Sequence, residues 1–226
     1  MAYTTINKHT AHFNTKLYTG TGSSYAISGV GFQPDWVWLK KRNSTAHHQL
    51  FDAVRGVTKR IYSSTTGAES TDAQTLTAFG TDGFTLGTNS YINGNSDTFV
   101  SWNWKANGAG SSNSNGSITS TVSANTTAGF SIVSYTGTGS NATVGHGLGA
   151  VPKMMITKSR NNTYNWTSYH ASLGNTGRIR LNSNSAADTG QTNWNSTTPT
   201  SSVFSVGTNA DVNGSGNNVI AYCFAE

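Results

Sequence analysis

Residues 98–104 read Thr98-Phe99-Val100-Ser101-Trp102-Asn103-Trp104, and residues 35–40 read Asp35-Trp36-Val37-Trp38-Leu39-Lys40. Both stretches repeat bulky apolar side chains every second position, the period that sends alternate residues to opposite faces of a β-strand. Working outward, short runs of this kind predict strands over 15–19, 24–28, 35–41, 48–54, 59–63, 75–79, 83–87 and 97–105. A second series falls at 129–135, 141–145, 153–159, 166–171, 178–182, 202–206 and 217–225. Asp82-Gly83, Asn93-Gly94 and Asn213-Gly214 lie between apolar runs, where hairpin turns are expected. Composition agrees: 34 Thr, 29 Ser, 24 Asn and 25 Gly among 226 residues favour short strands and polar turns over helices. Six Trp within an 11% aromatic content argue for a folded chain, because such rings are costly to leave in water.

The two series are copies. Tyr18-Thr19-Gly20-Thr21-Gly22-Ser23 recurs as Tyr135-Thr136-Gly137-Thr138-Gly139-Ser140, 117 positions later. Phe84-Thr85-Leu86-Gly87-Thr88-Asn89 recurs as Phe204-Ser205-Val206-Gly207-Thr208-Asn209, and Trp102-Asn103-Trp104 becomes Tyr222-Cys223-Phe224. A period this long suits a whole domain rather than a solenoid unit. The expected fold is all-β: two tandem jelly-roll-like β-sandwich domains arising from an internal duplication. Residues 1–105 form the first, with 1–13 as an attachment arm; 106–116 are a Gly/Ser/Asn linker and 117–226 form the second.

Several functions are disfavoured. No run approaches the 18 apolar residues of a membrane span, and the first residues lack the apolar stretch of a secretory signal. Cys223 is the single cysteine, so no intrachain disulfide or thiolate metal cluster forms. The formal charge of +5 reflects scarce acids more than a basic stripe, so nucleic-acid binding is not expected. Nine acidic residues include no dense strand motif offering the facing carboxylates of a glycosidase. His47-His48 point to opposite faces of a strand without a carboxylate cluster, so all six histidines read as polar surface groups and no metal is expected. Neither catalytic residues nor cofactors are anticipated.

Binding residues are harder to place. Trp36 and Trp38 share one strand face, as do Trp102 and Trp104, and exposed they would make a sugar-stacking platform. The second copy has Met154, Ile156, Tyr222 and Phe224 there, which favours core packing for all four tryptophans. Lys40, Arg42 and Arg60 align with Lys158, Arg160 and Arg178; repetition favours a structural job, with surface binding as the alternative. Tyr164, Trp166 and Tyr169 lie in a polar segment whose first-copy counterpart has no Tyr or Trp, and are candidate surface contacts.

Four strings, Gly31-Phe32-Gln33-Pro34-Asp35-Trp36-Val37-Trp38, Leu50-Phe51-Asp52-Ala53-Val54-Arg55-Gly56, Gly83-Phe84-Thr85-Leu86-Gly87 and Trp102-Asn103-Trp104-Lys105-Ala106, together resemble a family of virion proteins from marine tailed phages. Ser131-Ile132-Val133-Ser134-Tyr135-Thr136-Gly137 and Val219-Ile220-Ala221-Tyr222-Cys223-Phe224 are similar to the same family, so the resemblance spans nearly the whole chain. It implies tandem lectin-like (SPRY/concanavalin-like) sandwiches and carries over no catalytic residue. The expected function is a non-enzymatic accessory protein on the virion surface, decorating the capsid or attached to the tail. The alternative is the glycan-binding adhesin of a tail fibre. Assembly would occur in the host cytoplasm, with other capsid or tail proteins, host surface glycans and further copies of the chain as partners, and with neither nucleic acid nor membrane insertion.

Overall fold

A computed structural model describes residues 6–226, and these divide into two compact units. Unit 1 holds the described residues up to Ser63 together with Ser70–Ala109. Its strands are β1 (Phe13–Thr19), β2 (Tyr25–Ile27), β3 (Trp36–Lys41), β4 (Gln49–Asp52), β5 (Lys59–Tyr62), β6 (Ser70–Thr71), β7 (Leu76–Gly80), β8 (Gly83–Leu86) and β9 (Thr98–Trp104), with a helical turn α1 (Ser90–Asn93). One sheet runs β1-β9-β3-β4-β5-β6 and a second runs β2-β8-β7, all pairs antiparallel. Val37, Leu39, Phe51 and Phe99 from the first sheet meet Ile27, Leu76, Phe84 and Leu86 from the second in one core. The all-β sandwich is therefore the observed class.

Unit 2 comprises Ser64–Glu69 and Gly110–Glu226. It contains β10 (Ser111–Asn113), β11 (Ser120–Asn125), β12 (Phe130–Thr136), β13 (Ala142–Gly145), β14 (Pro152–Ser159), β15 (Thr167–His170), β16 (Ile179–Arg180), β17 (Val203–Val206), a helical turn α2 (Ala210–Asn213) and β18 (Asn218–Ala225). The order β12-β18-β14-β15-β16 parallels β1-β9-β3-β4-β5, with β10-β11 added at one edge, and β13-β17 form the second layer. Val133, Met155, Tyr169, Ala221 and Cys223 pack against Val144, Phe204 and Val206. Burial raises the Cys223 thiol to a pKa of about 12, so it serves as a small apolar side chain. The segment 64–69 is bound by Arg160, whose guanidinium donates to both carboxylate oxygens of Glu69 at 2.9 and 3.0 Å.

The repeated Tyr-Thr-Gly-Thr-Gly-Ser string has a physical cause. Tyr18 Oη donates to Ile92 O at 2.7 Å and Tyr135 Oη to Val212 O at 2.6 Å, so each ring anchors a helical turn. Asn93 is fully buried; its Oδ1 accepts from Thr21 N at 2.9 Å while its Nδ2 donates to Ser23 O and Gly87 O. Asn213 makes the same three bonds to Thr138, Ser140 and Gly207. A β-carbon on Gly20 would collide with Gly94 O, and one on Gly137 with Gly214 O, so glycine is required at both positions.

Three expectations need correction. The Asn-Gly pairs are not hairpin turns: they end α1 and α2, each begun by an Asn side chain that caps the turn. The 106–116 segment is not a free linker. Ala106 N donates to the buried Asp35 carboxylate at 2.7 Å, and Ser111–Asn113 form β10 on the edge of the unit 2 sheet. Of the proposed arm 1–13, residues 1–5 lie outside the described residues; His9–Ala11 make a 3-10 turn and Phe13 begins β1. No helix among the described residues is long and apolar enough to cross a membrane.

Candidate functional site

Strand β3 alternates Trp36, Trp38 and Lys40 on one face with Val37 and Leu39 on the other, and the second set enters the sandwich core. The tryptophans consequently point to the outer face of the six-stranded sheet. Cross-strand register places Trp36 opposite Trp104 and Trp38 opposite Trp102 on β9, with Leu50 on the far side of Trp38. Trp36 is buried, its ring tilted by 33° against that of Trp104 with the centroids 4.3 Å apart. Trp38, Trp102 and Trp104 are only half-buried. With His48 they line an open apolar cavity of about 280 Å³, at the small end of ligand pockets. The expectation that all four tryptophans are core fillers thus fails for three of them.

Trp38 Nε1 donates to His48 Nδ1 at 2.8 Å, which fixes the tautomer: the single proton of the neutral imidazole sits on Nε2. Burial, and secondarily the charge of Lys40, lower the His48 pKa and keep the ring neutral. His48 and Trp102 are nearly parallel, 7° between planes and 6.5 Å between centroids, and Trp38 stands at 79° to both. These three side chains form a right-angled corner. His48 lay among the histidines expected as mere surface groups; its place here follows from cross-strand register, which sequence alone does not show.

Unit 2 repeats the corner in closed form. Ile156, Tyr222 and Phe224 occupy the places of Trp38, Trp102 and Trp104, and Trp166 that of His48. Trp166 lies 6.5 Å from Tyr222 at 17°, the same arrangement as His48 and Trp102, but both rings are fully buried. The candidate contacts Trp166 and Tyr169 are therefore interior, not surface, residues. Tyr169 faces inward on β15 against Trp194, 5.8 Å away, because strand alternation turns it to the core; Tyr164 alone of the three is half-buried.

The basic candidates do not converge as one patch. Arg60 pairs with Asp72 at 3.1 Å and bonds Ser70, while the side chain of Arg42 is exposed. Lys40 Nζ donates to Lys41 O and Ser44 O, as Lys158 does to Ser159 O and Asn162 O. Lys40 alone lies near the cavity, within electrostatic reach of His48.

All nine acids are engaged elsewhere. Asp52 is fully buried with Arg55, Asp35 accepts from Ala106 N and Gln33, and Asp82 accepts from Gly29 N and Gly31 N. Asp72, Asp97 and Glu69 pair with Arg60, Lys41 and Arg160; Asp188 and Asp211 share Arg178, and Glu226 approaches Lys153 at 3.9 Å. Among the described residues no group of three His, Cys, Asp or Glu side chains could hold a metal. The arrangement offers apolar ring faces and one fixed N–H donor.

No curated protein and no solved structure matches the chain. The chain belongs to the DUF7483 family, a domain of unknown function whose family model matches residues 8–226 and so takes in both units.

Proposed function

We propose that this protein is a non-catalytic saccharide-binding module carried on the surface of a tailed-phage virion, with the aromatic corner of unit 1 as its binding site. The observation that carries the reading is the cavity lined by Trp38, His48, Trp102 and Trp104. Flat indole faces suit the C–H faces of a pyranose, and the His48 Nε2–H can donate to a hydroxyl. The engagement of every acidic side chain in caps or ion pairs supports binding without hydrolysis. The virion location rests on the resemblance of the sequence strings.

A purely structural role, decorating the capsid or a tail attachment, is the second reading. It is favoured by unit 2, whose corresponding face is closed by Ile156, Trp166 and Tyr222 and suits a scaffold. The matched hydrogen bonds of Tyr18 and Tyr135, and of Asn93 and Asn213, support origin of the two units by duplication.

The test pairs glycan-array binding with immunogold labelling of virions. Saccharide binding that Trp102→Ala abolishes while Trp102→Phe largely retains it, with label on the particle surface, is expected. Binding indifferent to Trp102 overturns the site, and absence of label from particles overturns the location.

A further inference from the structure

Accepting the saccharide reading of the unit 1 cavity, we infer that its ligand is an acidic saccharide, one whose carboxylate lies toward Lys40 while a ring face packs on the tryptophans. The inference comes from the charges around the corner. The cavity lining contains no carboxylate. Asp52 shares the outer face opposite Trp36, but Arg55 is bound to it in a fully buried pair, so that face gains no net negative charge.

Lys40 is two positions beyond Trp38 on the same face of β3, and its ammonium is held by Lys41 O at 2.6 Å and Ser44 O at 3.5 Å. It is thus a positioned cation rather than a freely sampling one. Arg42, next on this face, is exposed, and the chain carries a formal charge of +5. A quaternary ammonium guest, which aromatic cages otherwise attract, would sit beside Lys40 with no carboxylate to offset the repulsion. A neutral sugar would leave the Lys40 charge without a counterpart. A uronate satisfies it, and the neutral His48 keeps its Nε2–H for a hydroxyl.

The experiment is a titration, by tryptophan fluorescence at low salt, of the full chain with oligosaccharides in matched pairs, each uronate against its parent neutral hexose. A nucleotide and a quaternary ammonium compound complete the panel. The acidic member of at least one pair is expected to bind about fivefold or more tightly than its neutral parent, the preference weakening with salt. Lys40→Gln should erase the preference, Lys40→Arg should retain it, and circular dichroism should show all variants folded. Equal binding of neutral and acidic members, or a preference that survives Lys40→Gln in a folded protein, overturns the acidic assignment and leaves the saccharide reading standing. Binding of none of the saccharides, or of the nucleotide or ammonium probe in their place, overturns both.

Discussion

Replacing Arg55 by methionine is expected to destabilise unit 1 by about 3–5 kcal/mol, the usual result of removing one partner from a buried ion pair. Arg55 and Asp52 side chains are both fully buried, and the guanidinium also donates to Leu50 O and Lys59 O at 2.9 Å each. The substitution strands a carboxylate and two carbonyls at once, and methionine fills only the apolar volume. In a unit of roughly 100 residues this loss lowers the unfolding midpoint by well over about 10 °C. Because Leu50 and Asp52 lie on β4, immediately after His48, the same change should loosen the wall of the cavity. Thermal unfolding followed by circular dichroism should show an early transition assigned to unit 1, while the unit 2 transition is unmoved. Removing both charges with Asp52→Leu and Arg55→Met should recover much of the loss. A single-variant effect below about 1 kcal/mol, or a double variant no better than Arg55→Met, would refute the reasoning.

Two further outcomes follow from buried polar groups. Asn93→Ala leaves Thr21 N, Ser23 O and Gly87 O without their side-chain partner and should cost about 1–3 kcal/mol in unit 1; Asn213→Ala should do the same in unit 2, both read by urea unfolding. His146 is buried, with Nδ1 accepting from Leu148 N and Nε2 bonded to Thr200 O, and burial lowers its pKa below the ordinary 6.5. Its folded pKa is depressed, so the unfolded chain takes up the proton first. The stability that neutral His146 contributes is present above pH 6.5 and is lost as the pH falls below it. Melting of unit 2 between pH 7.5 and 5 should show this loss, and His146→Gln should flatten it.

Most of the fold was legible because period-two runs such as Trp36 to Lys41 and Thr98 to Trp104 are unambiguous strand signals. Strands without apolar alternation were not: Ser111-Ser112-Asn113 reads as linker, and becomes β10 only through pairing with β11. The four-residue turns α1 and α2 are too short for any helical period, and their Asn-Gly ends mimic hairpins. The site was half legible. Spacing placed Trp36 with Trp38 on one face, but Val37 and Leu39 are also apolar, so nothing in the strand itself says which face enters the sandwich. Met154, Ile156, Tyr222 and Phe224 pointed to core packing, but an apolar, closed face in unit 2 is compatible with an open corner in unit 1. With Tyr164, Trp166 reads in the sequence as an aromatic in a polar segment, whereas its structural counterpart is His48, whose role depends on a bond to Trp38 across the sheet.

The most direct test of the binding claim is to follow the six tryptophan indole N–H resonances by NMR while adding the saccharide selected on the array. The account predicts that Trp38, Trp102 and Trp104 shift together while buried Trp166 and Trp194 stay in place. Movement confined to Trp166 or Trp194, or no movement of Trp102 at a saccharide concentration that saturates binding, would contradict it.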